Sequence, residues 1–128
     1  MKYHRDKTLP AKDEVFVFGS NLAGVHGAGA AKQAIQYGAR WGQGAGAMGR
    51  CYAIPTKDHD IKTMSLERIK PYIHRFVKLT HEYPNVKFFV TRVGCGLAGF
   101  KDADIAPLFR GCNDNCNFPE QWELFLIK

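Results

Sequence analysis

No stretch of this chain approaches the ~18 consecutive apolar residues of a membrane-spanning helix, so no bilayer span is expected. Blocks of like charge are also missing, and no aromatic stripe alternates with the basic residues. The formal charge of +6 is scattered, which suits phosphorylated small ligands in a general way and leaves nucleic acid without a motif. Cysteine is sparse. Cys51, Cys95, Cys112 and Cys116 are too few for a disulfide frame in 128 residues and are expected as free thiols. The spacing of Cys112 and Cys116 permits a zinc pair, yet neither a second pair nor a nearby histidine completes four ligands, so no metal is expected. Residues Met1 to Lys7 lack an apolar stretch behind their charges, so no secretory signal is expected and the cytoplasm is the expected compartment. The length predicts one domain over residues 1–128, with a core that needs no staples.

Glycine is present where it carries chemistry. The apolar run Phe16-Val17-Phe18 leads into Gly19-Ser20-Asn21-Leu22-Ala23-Gly24-Val25-His26-Gly27-Ala28-Gly29, and a helix is predicted from Ala30. Glycine lets a ligand approach bare N–H groups, and the first turn of a helix leaves such groups unpaired. A phosphate or pyrophosphate is the natural occupant. A second loop of the same kind, Gly94-Cys95-Gly96-Leu97-Ala98-Gly99-Phe100, follows a second apolar strand. Two such loops are expected to form two walls of one site. The alternative for each glycine is a tight strand-to-helix turn with no ligand.

Other residues carry paired readings. His26 is either a surface loop residue or a general base, as imidazole chemistry permits. Cys95 is either a nucleophile or a small residue packed under its loop. Phe100 either backs the core or stacks on a sugar or base at the pocket rim. Trp41 and Trp122 are expected as core or partner-facing anchors.

The element pattern alternates. Glu14–Phe18 is predicted as a buried strand, Ala30–Tyr37 as a helix, residues 38–49 as a glycine-rich loop, and Arg50–Pro55 as a strand. Ser65 is a candidate N-cap for a helix carrying Ile69, Tyr72, Ile73, Phe76, Val77, Thr80 and Tyr83, with Pro71 kinking or restarting it. Val86–Val93 is predicted as a strand, Asp102–Phe109 as a helix, and Glu123–Ile127 as a closing strand. Strands alternating with helices predict an α/β layered sandwich around a mixed, mostly parallel sheet. Ligands of such sheets sit beyond the carboxyl ends of strands, where both glycine loops fall.

The chain resembles a macro domain, the ADP-ribose-binding fold, over roughly Val15 to Ile127. The likeness rests on Gly27-Ala28-Gly29-Ala30-Ala31, Tyr52-Ala53-Ile54-Pro55-Thr56-Lys57, and Arg92-Val93-Gly94-Cys95-Gly96-Leu97. It is nearest to the branch that removes ADP-ribose from acidic side chains, in a small phage-associated form. The resemblance implies that Gly27 to Gly29 line the first loop and that Gly94 to Gly99 close over a pyrophosphate and distal ribose. It implies that Asn21 reaches that ribose and that Lys57, beside Thr56, lies near the anomeric carbon. The branch has an aspartate directly after its "GCGL", where this chain has Ala98. The family often has a strand ending in Gly-Asp whose carboxylate holds adenine; here only Asp6 or Asp13 could serve, which leaves adenine recognition unassigned. The expected function is binding of ADP-ribose or a related NAD-derived nucleotide, with no further cofactor and no nucleic-acid partner. Two alternatives are a hydrolase taking ADP-ribose from proteins or phosphate from ADP-ribose, and a non-catalytic module. That module would read ADP-ribosylated proteins or, if phage-borne, sequester a nucleotide defence signal. Lys57, Asn21 and His26 are the candidate catalytic groups.

Overall fold

A computed structural model of the chain describes residues 2–127. Its strands are β1 (Lys2–His4), β2 (Glu14–Asn21), β3 (Gly46–Met48), β4 (Cys51–Lys57), β5 (Lys87–Val90) and β6 (Cys116–Pro119). They form one sheet in the order β1-β6-β5-β2-β4-β3. Every neighbouring pair is parallel except β3 with β4. The helices are α1 (Gly29–Ala34), α2 (Leu66–Glu82), α3 (Asp102–Ile105) and α4 (Glu123–Leu126). The chain is a single-domain α/β fold with a mixed, mostly parallel sheet.

The period-two alternation of the strands divides the core between two faces. Phe16, Phe18, Cys51, Ala53 and Phe89 point to one face, where Ala31 and Ala34 of α1 cover them. Val17, Tyr52, Ile54, Phe88 and Val90 point to the other, against Ile69, Ile73 and Phe76 of α2 and against Ile105, Phe109 and Trp122. Strands buried on both faces read as continuous apolar runs, which is why β2, β4 and β5 stand out in the sequence.

The helix expected after Ser65 is present, and Ser65 caps it: its Oγ accepts from the Arg68 N–H at 3.3 Å. Pro71 lies inside α2 without restarting it. The helix expected over Ala30–Tyr37 begins at Gly29 and tightens into a 3-10 turn at Ile35–Tyr37. The one expected over Asp102–Phe109 likewise passes from α3 into a 3-10 turn at Ala106–Phe109, where Pro107 removes a donor.

Two expectations need correction. Glu123–Ile127 is no strand. A 3-10 turn at Glu120–Trp122 runs into α4, Trp122 is fully buried, and Leu124 and Ile127 stay exposed. The strand beside β5 is β6, whose buried Asn117 donates to Glu14 Oε2 at 3.2 Å. The glycine-rich 38–49 stretch is not all loop, because Gly46–Met48 pairs antiparallel with β4 as an edge strand. The N-terminal residues carry β1, paired parallel with β6.

Candidate functional site

The chain runs from β2 through α1 on one face of the sheet, whereas β5 leads into α3 on the opposite face. The strands are neighbours, so their outgoing loops part and leave a crevice over their carboxyl ends. That crevice is a cleft of about 510 Å³. Gly19, Ser20, Asn21, Thr56 and Lys57 line it from the ends of β2 and β4. Gly27, Ala28, Gly29 and Ala30 line one wall, and Gly94, Cys95, Gly96, Leu97 and Ala98 line the other.

Close approach explains one of the glycines, and the backbone angle another. A Cβ at Gly19 would stand 3.2 Å from the Gly94 nitrogen, so a side chain there presses directly on the second loop. Gly29 has φ of +58°, a conformation L residues avoid, and a Cβ on it would meet Leu97 Cδ1 at 3.5 Å. Leu97 thus reaches the first loop from the second.

The polar side chains at the cleft floor are mostly engaged in building it. Ser20 Oγ donates to the Gly44 carbonyl, and Thr56 Oγ1 donates to the Ser20 carbonyl at 3.3 Å. Asn21 Nδ2 donates to the Val25 carbonyl at 2.8 Å while its Oδ1 accepts from the Val25 N–H at 2.9 Å. Lys57 differs. It is half-buried, its backbone bridges to Thr63, and its ammonium makes no ion pair among the described residues.

His26 does not line this cleft, and it is not on the surface either. It is fully buried, its Nε2 donates to the Arg40 carbonyl at 2.7 Å, and its ring meets the Phe18 ring edge-on at 5.8 Å. Nothing presents it to a ligand in the cleft, so the general-base expectation is not supported by its position. Gly99 and Phe100 also fall outside the lining. The Phe100 N–H donates to the Gly94 carbonyl at 2.9 Å, and its ring packs against the core from behind the loop. Cys95 does line the cleft, but burial and the nearby Asp102 push its thiol up to about 12. It is a neutral thiol at neutral pH and a poor nucleophile. Trp122 is the core anchor expected of it, whereas Trp41 is 62% exposed.

Thr91 and Arg92, at the end of β5, also line the cleft. Sequence reasoning placed Arg92 in a motif without giving it a role; its position directly before the second glycine loop was the available signal. Its Nε and Nη2 donate to Asp102 Oδ1 and Oδ2 at 3.0 and 2.7 Å, and Trp122 Nε1 donates to Asp102 Oδ1 at 2.7 Å. Partial burial works to raise the Asp102 carboxyl, but the bonds from Arg92 and Trp122 outweigh it and hold the group below its ordinary value.

A second cleft of about 550 Å³ opens beside the first and shares Ala30, Thr91 and Arg92 with it. His4, Asp6, Phe16 and Phe89 are among its walls. His4 stacks on Phe89 with centroids 3.9 Å apart and donates from Nε2 to the Val90 carbonyl at 2.9 Å. Asp6 accepts from Gln121 Nε2 at 2.7 Å. Asp13 lines neither cleft and pairs with Lys87 at 3.0 Å.

All four cysteines are free thiols, and hydrogen bonding with Cys112, together with burial, pushes the Cys116 thiol up. Among the described residues no three metal-ligating side chains converge, and no helix is long and apolar enough to cross a membrane. No family model, curated protein or solved structure matches the chain.

Proposed function

We propose that the chain binds ADP-ribose or a related NAD-derived nucleotide in the cleft between its two glycine loops. One observation carries this reading: two separate glycine-rich loops, each leaving a parallel strand, form opposite walls of one cleft whose charged lining residues are Lys57 and Arg92. Backbone N–H groups and two cations are a fitting lining for a pyrophosphate. The volume falls within the few-hundred-Å³ range of small-molecule sites. The motifs that resemble a macro domain sit on these walls. The second cleft, continuous with the first, offers Asp6 and aromatic rings to a base, and Asp13 has no comparable position.

Binding is favoured over hydrolysis by the lining itself. It contains no carboxylate and no histidine, and its one thiol is neutral. A glycosidic bond broken here would lack a proton donor or acceptor of suitable pKa. The same feature suits a reader or a sequestering protein, which holds its nucleotide without turning it over.

Calorimetry against ADP-ribose, AMP, NAD and cyclic ADP-ribose tests the proposal. Saturable one-site binding of ADP-ribose, tighter than AMP, is the expected result. No heat from any of the four would overturn it.

A further inference from the structure

The turn after β4 adds a third wall to the first cleft through Ile61. β4 ends at Lys57 and the chain doubles back at once, with Thr63 bridging antiparallel to Lys57. Asp58 clasps the turn. Its Oδ1 accepts from the N–H groups of Asp60 and Lys62 at 2.8 and 3.0 Å, and its own N–H donates to the Lys62 carbonyl at 2.8 Å. Thr63 Oγ1 then ties the turn to the second glycine loop through the Ala98 carbonyl. Within this clasp Ile61 has φ of +62°. A β-branched residue is strained there, in a region that glycine enters freely and asparagine tolerates.

Burial in the core would offset that strain, but Ile61 is not buried. It is 42% exposed, belongs to neither half of the core, and lines the cleft. Val25 of the first loop and Leu97 of the second share these properties, at 43% and 69% exposed. A Cβ on Gly27 would meet Val25 Cγ1 at 3.9 Å, and one on Gly29 would meet Leu97 Cδ1 at 3.5 Å, so these two side chains flank the first glycine wall. Three aliphatic residues from three segments thus converge on one cleft, and the core uses none of them. Exposed apolar groups gathered in this way mark a contact surface.

The place of the turn says which part of a ligand it meets. The second cleft is lined from β1, β5 and β6 by His4, Phe89 and Pro119, whereas the turn leaves β4, on the other side of β2 in the sheet. Ile61 and the second cleft therefore stand at opposite ends of the joined space. Each cleft is by itself the size of a small-molecule site. A ligand with a single base, seated in the second cleft, brings only its sugar to the β4 end.

We propose that Val25, Ile61 and Leu97 form an aliphatic subsite at the β4 end of the first cleft, which takes an uncharged planar ring carried on the far sugar of the nucleotide. The subsite rests on the nucleotide reading of the clefts and deepens it: the class it selects is a dinucleotide with a ring at both ends, reduced nicotinamide dinucleotide (NADH) before ADP-ribose. Apolar side chains offer a charge no partner, and Lys57 lines the same cleft, so the oxidised form with its cationic ring is the weaker ligand. The strain at Ile61 is retained for this contact.

Calorimetry of NADH, NAD, ADP-ribose and 1-benzyl-1,4-dihydronicotinamide with the wild type, Ile61→Gly and Ile61→Asn tests the subsite, with thermal melting of each variant. The wild type is expected to bind NADH more tightly than NAD or ADP-ribose. Ile61→Gly relieves the backbone, so it is expected to melt no lower than the wild type while NADH weakens roughly tenfold, as loss of one buried aliphatic contact implies. ADP-ribose is expected to change little. Ile61→Asn tolerates the angle and keeps a side chain, and it is expected to weaken NADH as the glycine does, which separates a lost apolar contact from a loosened turn. Wild-type NADH affinity in Ile61→Asn, or NADH no tighter than ADP-ribose in the wild type, would overturn the subsite and leave the nucleotide reading standing. A marked drop in the melting temperature of Ile61→Gly would make the isoleucine a structural residue and count against the subsite. Binding of the benzyl compound that Ile61→Gly removes, without binding of any nucleotide, would overturn the nucleotide reading and leave the subsite. Binding of none of the four would overturn both.

Discussion

Asn21 holds both polar backbone atoms of Val25, accepting from its N–H at 2.9 Å and donating to its carbonyl at 2.8 Å. The clasp ties the last residue of β2 to the middle of the first glycine loop. Its side chain therefore shapes the cleft, where the macro-domain resemblance implied a direct reach to a ribose. Asn21→Asp is the sharpest probe, because it keeps the size and replaces the donor with an acceptor facing the Val25 carbonyl. A buried group stripped of its partner costs about 1–3 kcal/mol, so ADP-ribose affinity is expected to fall by that order as the loop loosens. Calorimetry that shows unchanged affinity would mean the clasp does not shape the site.

Gly29→Val is expected to abolish binding and leave the fold largely intact. The residue sits at φ of +58°, and a new Cβ comes into contact with Leu97 Cδ1 of the second loop at 3.5 Å. A β-branched side chain suits neither the backbone angle nor the gap. A cooperative melt with no ADP-ribose heat is the expected pair of results. Retained affinity would show that this part of the first loop is structural only.

The Asp102 network predicts a pH dependence with a definite sign. Its carboxyl is held below the ordinary value of 3.8 in the folded protein. A depressed carboxylate stabilises the fold above its unfolded pKa, and that contribution is lost as pH falls below 3.8 toward the folded value. Asp102→Asn is therefore expected to melt lower than the wild type near neutral pH, with the gap closing under acid. Melting curves from neutral pH to about pH 3, below the ordinary carboxylate range, measure it. A gap independent of pH would assign the loss to packing.

Much of this arrangement was legible in the sequence, and the exceptions have physical causes. Apolar strands buried on both faces, β2, β4 and β5, announce themselves by composition, and each glycine loop follows its strand directly. β6 does not, because Cys116-Asn117-Phe118-Pro119 hides a buried polar pair between Asn117 and Glu14, residues far apart in the chain. The apolar run after Trp122 reads as a strand instead, though it continues a helical turn anchored by that tryptophan, with Phe125 and Leu126 packed on the core and Leu124 and Ile127 exposed. His26 was misplaced because nothing local reveals that Arg40 and Phe18 enclose it. The setting of Arg92 is hidden for the same reason, since its partner Asp102, and Trp122 bonded to that carboxylate, become neighbours only when α3 and the C-terminal turn fold back on β5.

Lys57 separates binding from covalent chemistry. As a contact to phosphate or ribose, its replacement by alanine is expected to weaken ADP-ribose by about 1–3 kcal/mol, the range for hydrogen bonds to charged groups. Borohydride is expected to trap no adduct with the wild type. A trapped adduct, with affinity unchanged in Lys57→Ala, would make the lysine a nucleophile instead.

Ala98 stands where the hydrolytic branch that the motifs resemble has a carboxylate. It lines the cleft together with Lys57, and its carbonyl accepts from Thr63 Oγ1 at 3.0 Å, next to the bridge between Thr63 and Lys57. In the branch that the motifs resemble, an aspartate follows "GCGL" and exchanges a proton as the glycosidic bond breaks. General acid–base assistance is worth on the order of 10²–10⁴ in rate, so a cleft without a carboxylate is expected to leave an ester of ADP-ribose and glutamate almost untouched. Ala98→Asp supplies the missing group at the same lining position. It also places a negative charge beside an anionic ligand, which repels ADP-ribose. The variant is expected to gain measurable ester hydrolysis while binding free ADP-ribose more weakly than the wild type, two opposite movements that general damage to the fold does not produce. Release of ADP-ribose from a modified glutamate peptide, followed by chromatography, measures the first, and calorimetry measures the second. Efficient turnover by the unmodified chain would sink this reading and return the chemistry to Lys57 and Asn21.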